Sequence, residues 1–206
     1  GPVNEFSAME GTSVLNYNLQ IERDIHSRAG FGPVFYIFPD NKLDNNQALE
    51  LAGNLDLVNI IKEYGGRIMV VNPSSDKWQE QDLEDFRRLI GMGSSPTNVK
   101  VIGIGSGATF VNRQLVATEL AGVIAGIVSI DGEPGKICRL PVPAFIGGKN
   151  AAKAAKPYQT TSDSAPADPL QKVVVNTDKK ASLETLFAEA WDKVLSANYR
   201  SNNLYR

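Results

Sequence analysis

The chain has 206 residues, 42% hydrophobic and 21% charged, with a formal net charge of -2 and one histidine. That size suits one domain with a sizeable core, and that balance excludes a disordered or fibrous chain and a strongly basic surface for nucleic acid or anionic membranes. A single cysteine, Cys138, excludes an internal disulfide and a cysteine-built metal cage, and its place between Ile137 and Arg139 without a nearby histidine suits an inert thiol. No apolar segment is long enough for a membrane-spanning helix. Residues 1–8 resemble an expression-tag remnant, so the natural start is expected near Met9. A signal peptide could have preceded it, and no compartment follows. Residues 9–206 read as a single domain, which could be the N-terminal part of a longer protein.

Taken in order, Thr12 to Asp24 alternates loosely and suits one or two edge strands. After the breaker Arg28 to Pro33, the run Val34 to Phe38 reads as a strand buried on both faces, closed by Pro39-Asp40-Asn41. Leu57, Ile60, Ile61 and Tyr64 recur at helical spacing, and Gly65-Gly66 is expected to end that helix. Ile68 to Val71 is the next buried strand. Leu83, Phe86 and Ile90 then mark an amphipathic helix that Asp76 could cap, with Asp82, Glu84, Asp85, Arg87 and Arg88 on a solvated face.

Asn98 to Ile104 forms another strand, followed by a glycine-rich corner and a helix to about Ala121. Ile124 to Ile130 and Val142 to Ile146 are further strands, and Ala151 to Tyr158 is a short helix. Thr160 to Pro169 reads as a loop and Val173 to Val175 as the last strand. Ser182 caps a final helix whose face Leu183, Leu186, Phe187, Trp191, Val194 and Leu195 packs on the sheet, before a polar tail from Ser201 to Arg206. Apolar strands separated by helices predict a mostly parallel central sheet with helices on both faces.

The corner Gly103-Ile104-Gly105-Ser106-Gly107-Ala108 admits three readings. Ser106 could be a nucleophile on a strained strand-to-helix turn, with the Gly107 N–H stabilising an oxyanion. Gly103, Gly105 and Ala108 also fit the dinucleotide fingerprint, although that motif belongs on the first strand of its unit. The third reading is structural: glycines allow close packing and the serine caps the helix.

The order of Phe38-Pro39-Asp40, Asn72-Pro73, the corner, Ile124 to Gly132 and Val142 to Asn150 resembles the α/β-hydrolase superfamily. Within it, the order resembles the esterase and polyhydroxybutyrate depolymerase-like branch. The resemblance covers most of residues 30–198. It implies a three-layer α/β sandwich and a serine esterase with its partners in the order serine, acid, histidine. The sequence departs from that pattern twice. The acid's place holds Asn150, and the histidine's place holds Asn176-Thr177-Asp178-Lys179, leaving Asp178 as an alternative acid.

The only histidine, His26, precedes the first buried strand. Serine without a neighbouring base is a poor nucleophile, so the expected domain is inactive or very weak alone and serves binding or domain docking. The alternative is an active esterase using Ser106, with a base from His26 or from sequence beyond Arg206. Its oxyanion would also use an N–H from the loop Asp40-Asn41-Lys42, and its ligand would be a small ester or polyester. Asp131 and Glu133 follow a strand's carboxyl end and could hold a substrate hydroxyl or a cation, although a local turn uses the same residues. No cofactor, metal or nucleic-acid partner is expected.

Overall fold

Short apolar runs bounded by Pro, Asn or Gly pair into one sheet because strands buried on both faces have no polar side to give to water. The computed structural model describes residues 7–9, 17–23, 33–64, 66–91, 98–160 and 172–196. Its strands are β1 (Ser7–Met9), β2 (Tyr17–Arg23), β3 (Val34–Phe38), β4 (Gly66–Val71), β5 (Val99–Ile104), β6 (Ile124–Ile130), β7 (Ala144–Gly147) and β8 (Val173–Asn176). They line up in the order β1-β2-β4-β3-β5-β6-β7-β8. From β4 to β8 every pairing is parallel, while β1 and β2 add antiparallel strands at one edge. β1 thus includes residues expected to be a tag remnant.

The pleat sends successive side chains to opposite faces. From β3, Phe35 and Ile37 pack in one layer with α1 (Asn45–Asn54), α2 (Leu57–Tyr64) and α6 (Leu183–Ala190). Tyr36 and Phe38 pack in the other with α3 (Glu80–Gly91), α4 (Ser106–Phe110) and α5 (Ala151–Gln159). This is the three-layer α/β architecture expected from the apolar strands. In the second layer the rings of Tyr36 and Phe86 meet edge to face at 5.1 Å, and Phe38 meets Phe86 at 5.0 Å.

Four local expectations are corrected. Helix α1 was not anticipated, because it buries only Ala48 and Ala52. The helix after the corner does not continue to Ala121: α4 passes into a π-helical turn at Val111–Leu115, and a 3₁₀ turn follows at Glu119–Val123. Asp76 does not cap α3, which starts at Glu80. Asp82 is fully buried rather than solvated, because its carboxylate accepts from the N–H groups of Gln79 at 2.8 Å and Ser74 at 3.0 Å. Ser182 caps α6 as expected, accepting from Thr185 N–H at 3.1 Å. His26, residues 161–169 of the expected loop and the tail 201–206 lie outside the described residues.

Candidate functional site

The corner lies at the carboxyl end of the central strand β5, where parallel sheets place their ligands. The chain turns there on Gly105, with φ 58° and ψ −121°. That conformation is nearly closed to residues with a side chain. Ser106, one residue later, is the first residue of α4. Gly107 lets the helix press on β3, since a Cβ there would lie 1.9 Å from the carbonyl oxygen of Phe38.

Asp40, just past β3, fills the inside of the turn. Its Oδ1 accepts from the Ser106 N–H at 2.7 Å, and its backbone carbonyl accepts from the Ser106 hydroxyl. A Cβ on residue 105 would lie 2.2 Å from Asp40 Oδ1. The carboxylate therefore occupies the space a side chain at 105 would need. β3 and β5 pair with Phe38 opposite Gly103, and that register brings Asp40 and the corner together.

Ser106 opens onto a cleft of about 480 Å³, lined also by Asp40, Asn41, Asp76, Lys77, Trp78 and Arg113. Small-molecule sites are commonly of this size. One wall is aromatic: Trp78 stacks on Phe110 with centroids 5.0 Å apart and planes 27° apart. The Trp78 indole donates to the Pro39 carbonyl at 3.1 Å, which fixes the ring beside β3. Trp78, Phe110 and Arg113 were not anticipated here. Arg113 lies seven residues after Ser106, a spacing that returns to one helix face and could have flagged it.

Asp131, Glu133 and Asn150 gather in a neighbouring network above β6 and β7. Asn150 donates to Glu133 Oε1 at 3.2 Å, and the Glu133 N–H donates to Thr109 Oγ1 at 2.9 Å. Thr109 in turn donates from its own N–H to the Gly105 carbonyl at 3.0 Å. Asp131 accepts from Lys149 N–H at 2.7 Å, so its carboxylate fastens the β7 loop. Below lies buried Asn112. Its Oδ1 accepts from Ser129 at 3.0 Å and Tyr158 at 2.7 Å, while its Nδ2 donates to the Glu133 carbonyl at 2.9 Å. Burial pushes the Tyr158 phenol up, so it stays a proton donor. None of Asp131, Glu133 and Asn150 lines the Ser106 cleft.

Asp178 makes local bonds after β8: its N–H donates to Asn176 Oδ1 at 2.9 Å, and its carboxylate accepts from Lys180 N–H at 2.9 Å. Cys138 is buried with its thiol directed at the Leu140 carbonyl. Among the described residues, no cluster of His, Cys, Asp and Glu has the grouping of a metal site, and no helix is long and apolar enough to cross a membrane.

The same geometry does not favour the dinucleotide alternative. A pyrophosphate needs free backbone N–H groups at the corner. Here Gly105 N–H donates to the Ile130 carbonyl at 2.8 Å and Ser106 N–H to Asp40. The corner also follows β5 rather than the first parallel strand.

The sequence matches no family model and no curated protein. The fold is similar to solved structures of hydrolases. A serine-to-alanine mutant of the feruloyl esterase module from Clostridium thermocellum, complexed with sinapinate, matches with a TM-score of 0.59 at 10% identity, over 91% of this chain and 86% of that one. An esterase/lipase from an uncultured bacterium matches with a TM-score of 0.53 at 10% identity, over 84% of this chain and 74% of that one. A thermostable esterase matches with a TM-score of 0.56 at 11% identity, and here 96% of this chain spans only 64% of that one. With this strand order and these neighbours, the chain has the α/β-hydrolase fold.

Proposed function

We propose that this domain binds a small aromatic carboxylic acid or its ester beside Ser106 and does not hydrolyse it. One observation carries the reading: the strained residue of the corner is Gly105, and the Asp40 carboxylate fills the place of its missing side chain. In a nucleophile elbow the strained residue is the nucleophile, and the next N–H serves the oxyanion. On that pattern the reactive position is 105 rather than 106. The oxyanion donor is then Ser106 N–H rather than Gly107 N–H, and Asp40 already engages it. Ser106 donates its own proton to a carbonyl, and the sole histidine is His26. Asn150 follows β7 and Asn176 to Lys179 follow β8, where the resemblance expects the acid and the histidine, and no histidine is among the described residues.

Part of the cleft's lining supports this ligand class, although Asp40 and Asp76 also line it. Trp78 offers an aromatic face, while Lys77 and Arg113 suit a carboxylate. The sinapinate complex of the feruloyl esterase module supports the choice. Isothermal titration with sinapinate, run beside an activated short-chain ester assay, tests both halves. Expected are saturable binding, weakened about tenfold or more in Trp78→Ala and Arg113→Ala, and ester turnover at background. No binding, or turnover abolished by Ser106→Ala, would contradict the proposal.

A further inference from the structure

A second groove, on the opposite layer, carries chemistry that the cleft at Ser106 does not use. It lies between α2 and α6 and has a volume of about 350 Å³. Its aromatic wall is Tyr64 and Trp191, whose centroids are 5.7 Å apart with planes 52° apart. Tyr64 is 53% exposed, so part of its ring is open to a ligand in the groove. Trp191 also meets Phe35, with centroids 6.2 Å apart and planes 50° apart. Ile60 and Phe187 make an apolar floor. Asp56, Glu63 and Glu184 supply carboxylates around it, and no basic residue is among those lining the groove.

The sequence expectation for Trp191 was simple packing of the last helix. Phe187 meets it in full, but Trp191 is only half-buried and turns part of its ring to the groove. Two rings with a carboxylate rim attract a cation by two routes at once. Its charge faces the ring quadrupoles, and its N–H groups reach the carboxylates. A planar guanidinium suits this better than an ammonium, because it stacks on a ring while its edge forks to an acid.

We propose that the groove between α2 and α6 docks an arginine side chain of a partner polypeptide, stacked on Trp191 and Tyr64 and paired with Glu63 and Glu184. Three carboxylates around the groove, with no basic residue lining it, favour a cationic partner. The site is independent of the ligand proposed beside Ser106.

The chain has two tryptophans, Trp78 in one groove and Trp191 in the other. Their indole N–H signals in NMR therefore report the two sites separately. The probe is acetyl-Ala-Arg-Ala-amide, compared with the same peptide carrying neutral citrulline. Expected is a saturable shift of the Trp191 signal with the arginine peptide, at least about tenfold weaker with citrulline, while Trp78 stays still. Glu63→Gln combined with Glu184→Gln should weaken arginine binding about tenfold, as loss of two partly exposed charge contacts implies. Both positions are exposed, so these variants should fold. A Trp191 signal that does not move, equal binding of the two peptides, or unchanged affinity in the double variant would each overturn the proposal.

Discussion

At the scale of single residues, Gly105 and Asp40 are coupled through the 2.2 Å that would separate a Cβ at 105 from the Asp40 carboxylate. Gly105→Ser meets two penalties: a backbone conformation that L residues avoid, and a collision with Asp40. Urea unfolding should show a loss of about 2–5 kcal/mol, and Asp40→Gly in the same chain should recover part of it. Additive single effects would mean that the two sites do not touch. A different residue governs the response to pH. Lys100 lies on β5 and is almost fully buried, and burial pushes its amine down to about 7 from 10.5. Between those values the unfolded chain holds a proton that the folded chain has released, so stability rises with pH across that window and Lys100 costs most below it. Relative to Lys100→Met, unfolding free energy should climb by on the order of 1 kcal/mol per pH unit from pH 7 toward pH 10. Parallel pH curves for the two proteins would contradict this.

At the scale of elements, the starts of helices rest on particular side chains. Asp82 lies inside α3 yet holds the N–H groups of Ser74 and Gln79, so it ties the loop after β4 to the helix. Asp82→Ala strands two donors in a buried setting and should cost about 1–3 kcal/mol, read by thermal or urea unfolding. An effect below a few tenths would show that water replaces those bonds. The parallel strands were readable because uninterrupted apolar runs such as Val34 to Phe38 and Ile124 to Ile130 carry their own signal. Helix α1 was hidden, since Leu49 is 49% exposed and two alanines do the packing. Its capping box was visible in principle: Asp44 accepts from Gln47 N–H at 2.8 Å, and Gln47 accepts from Asp44 N–H at 3.0 Å. The corner was found but its register was not. Gly103-x-Gly105-x-Gly107 and Gly105-Ser106-Gly107 overlap, and only backbone angles tell which residue bears the turn. The aromatic wall escaped because Trp78 reaches Phe110 across the sheet's end, a contact between distant parts of the chain.

At the scale of the whole molecule, the sheet order sets the two grooves apart. The cleft at Ser106 backs onto the layer of Phe38 and Phe86, and the groove at Trp191 onto the layer of Phe35 and Phe187. Strands buried on both faces, β3, β5 and β6 among them, separate the two sites. Saturating sinapinate should leave the affinity for the arginine peptide unchanged within about twofold, and by reciprocity the converse holds. A larger mutual change would show that the sheet transmits strain.

The most direct measurement is incubation of the intact protein with a fluorophosphonate probe, followed by peptide mapping in a mass spectrometer. A hydrolase fold that turns on Gly105, with its serine hydroxyl committed to the Asp40 carbonyl, should take up no probe at Ser106 beyond what the heat-unfolded protein shows. Stoichiometric labelling of Ser106 in the folded protein, lost in Ser106→Ala, would contradict that account.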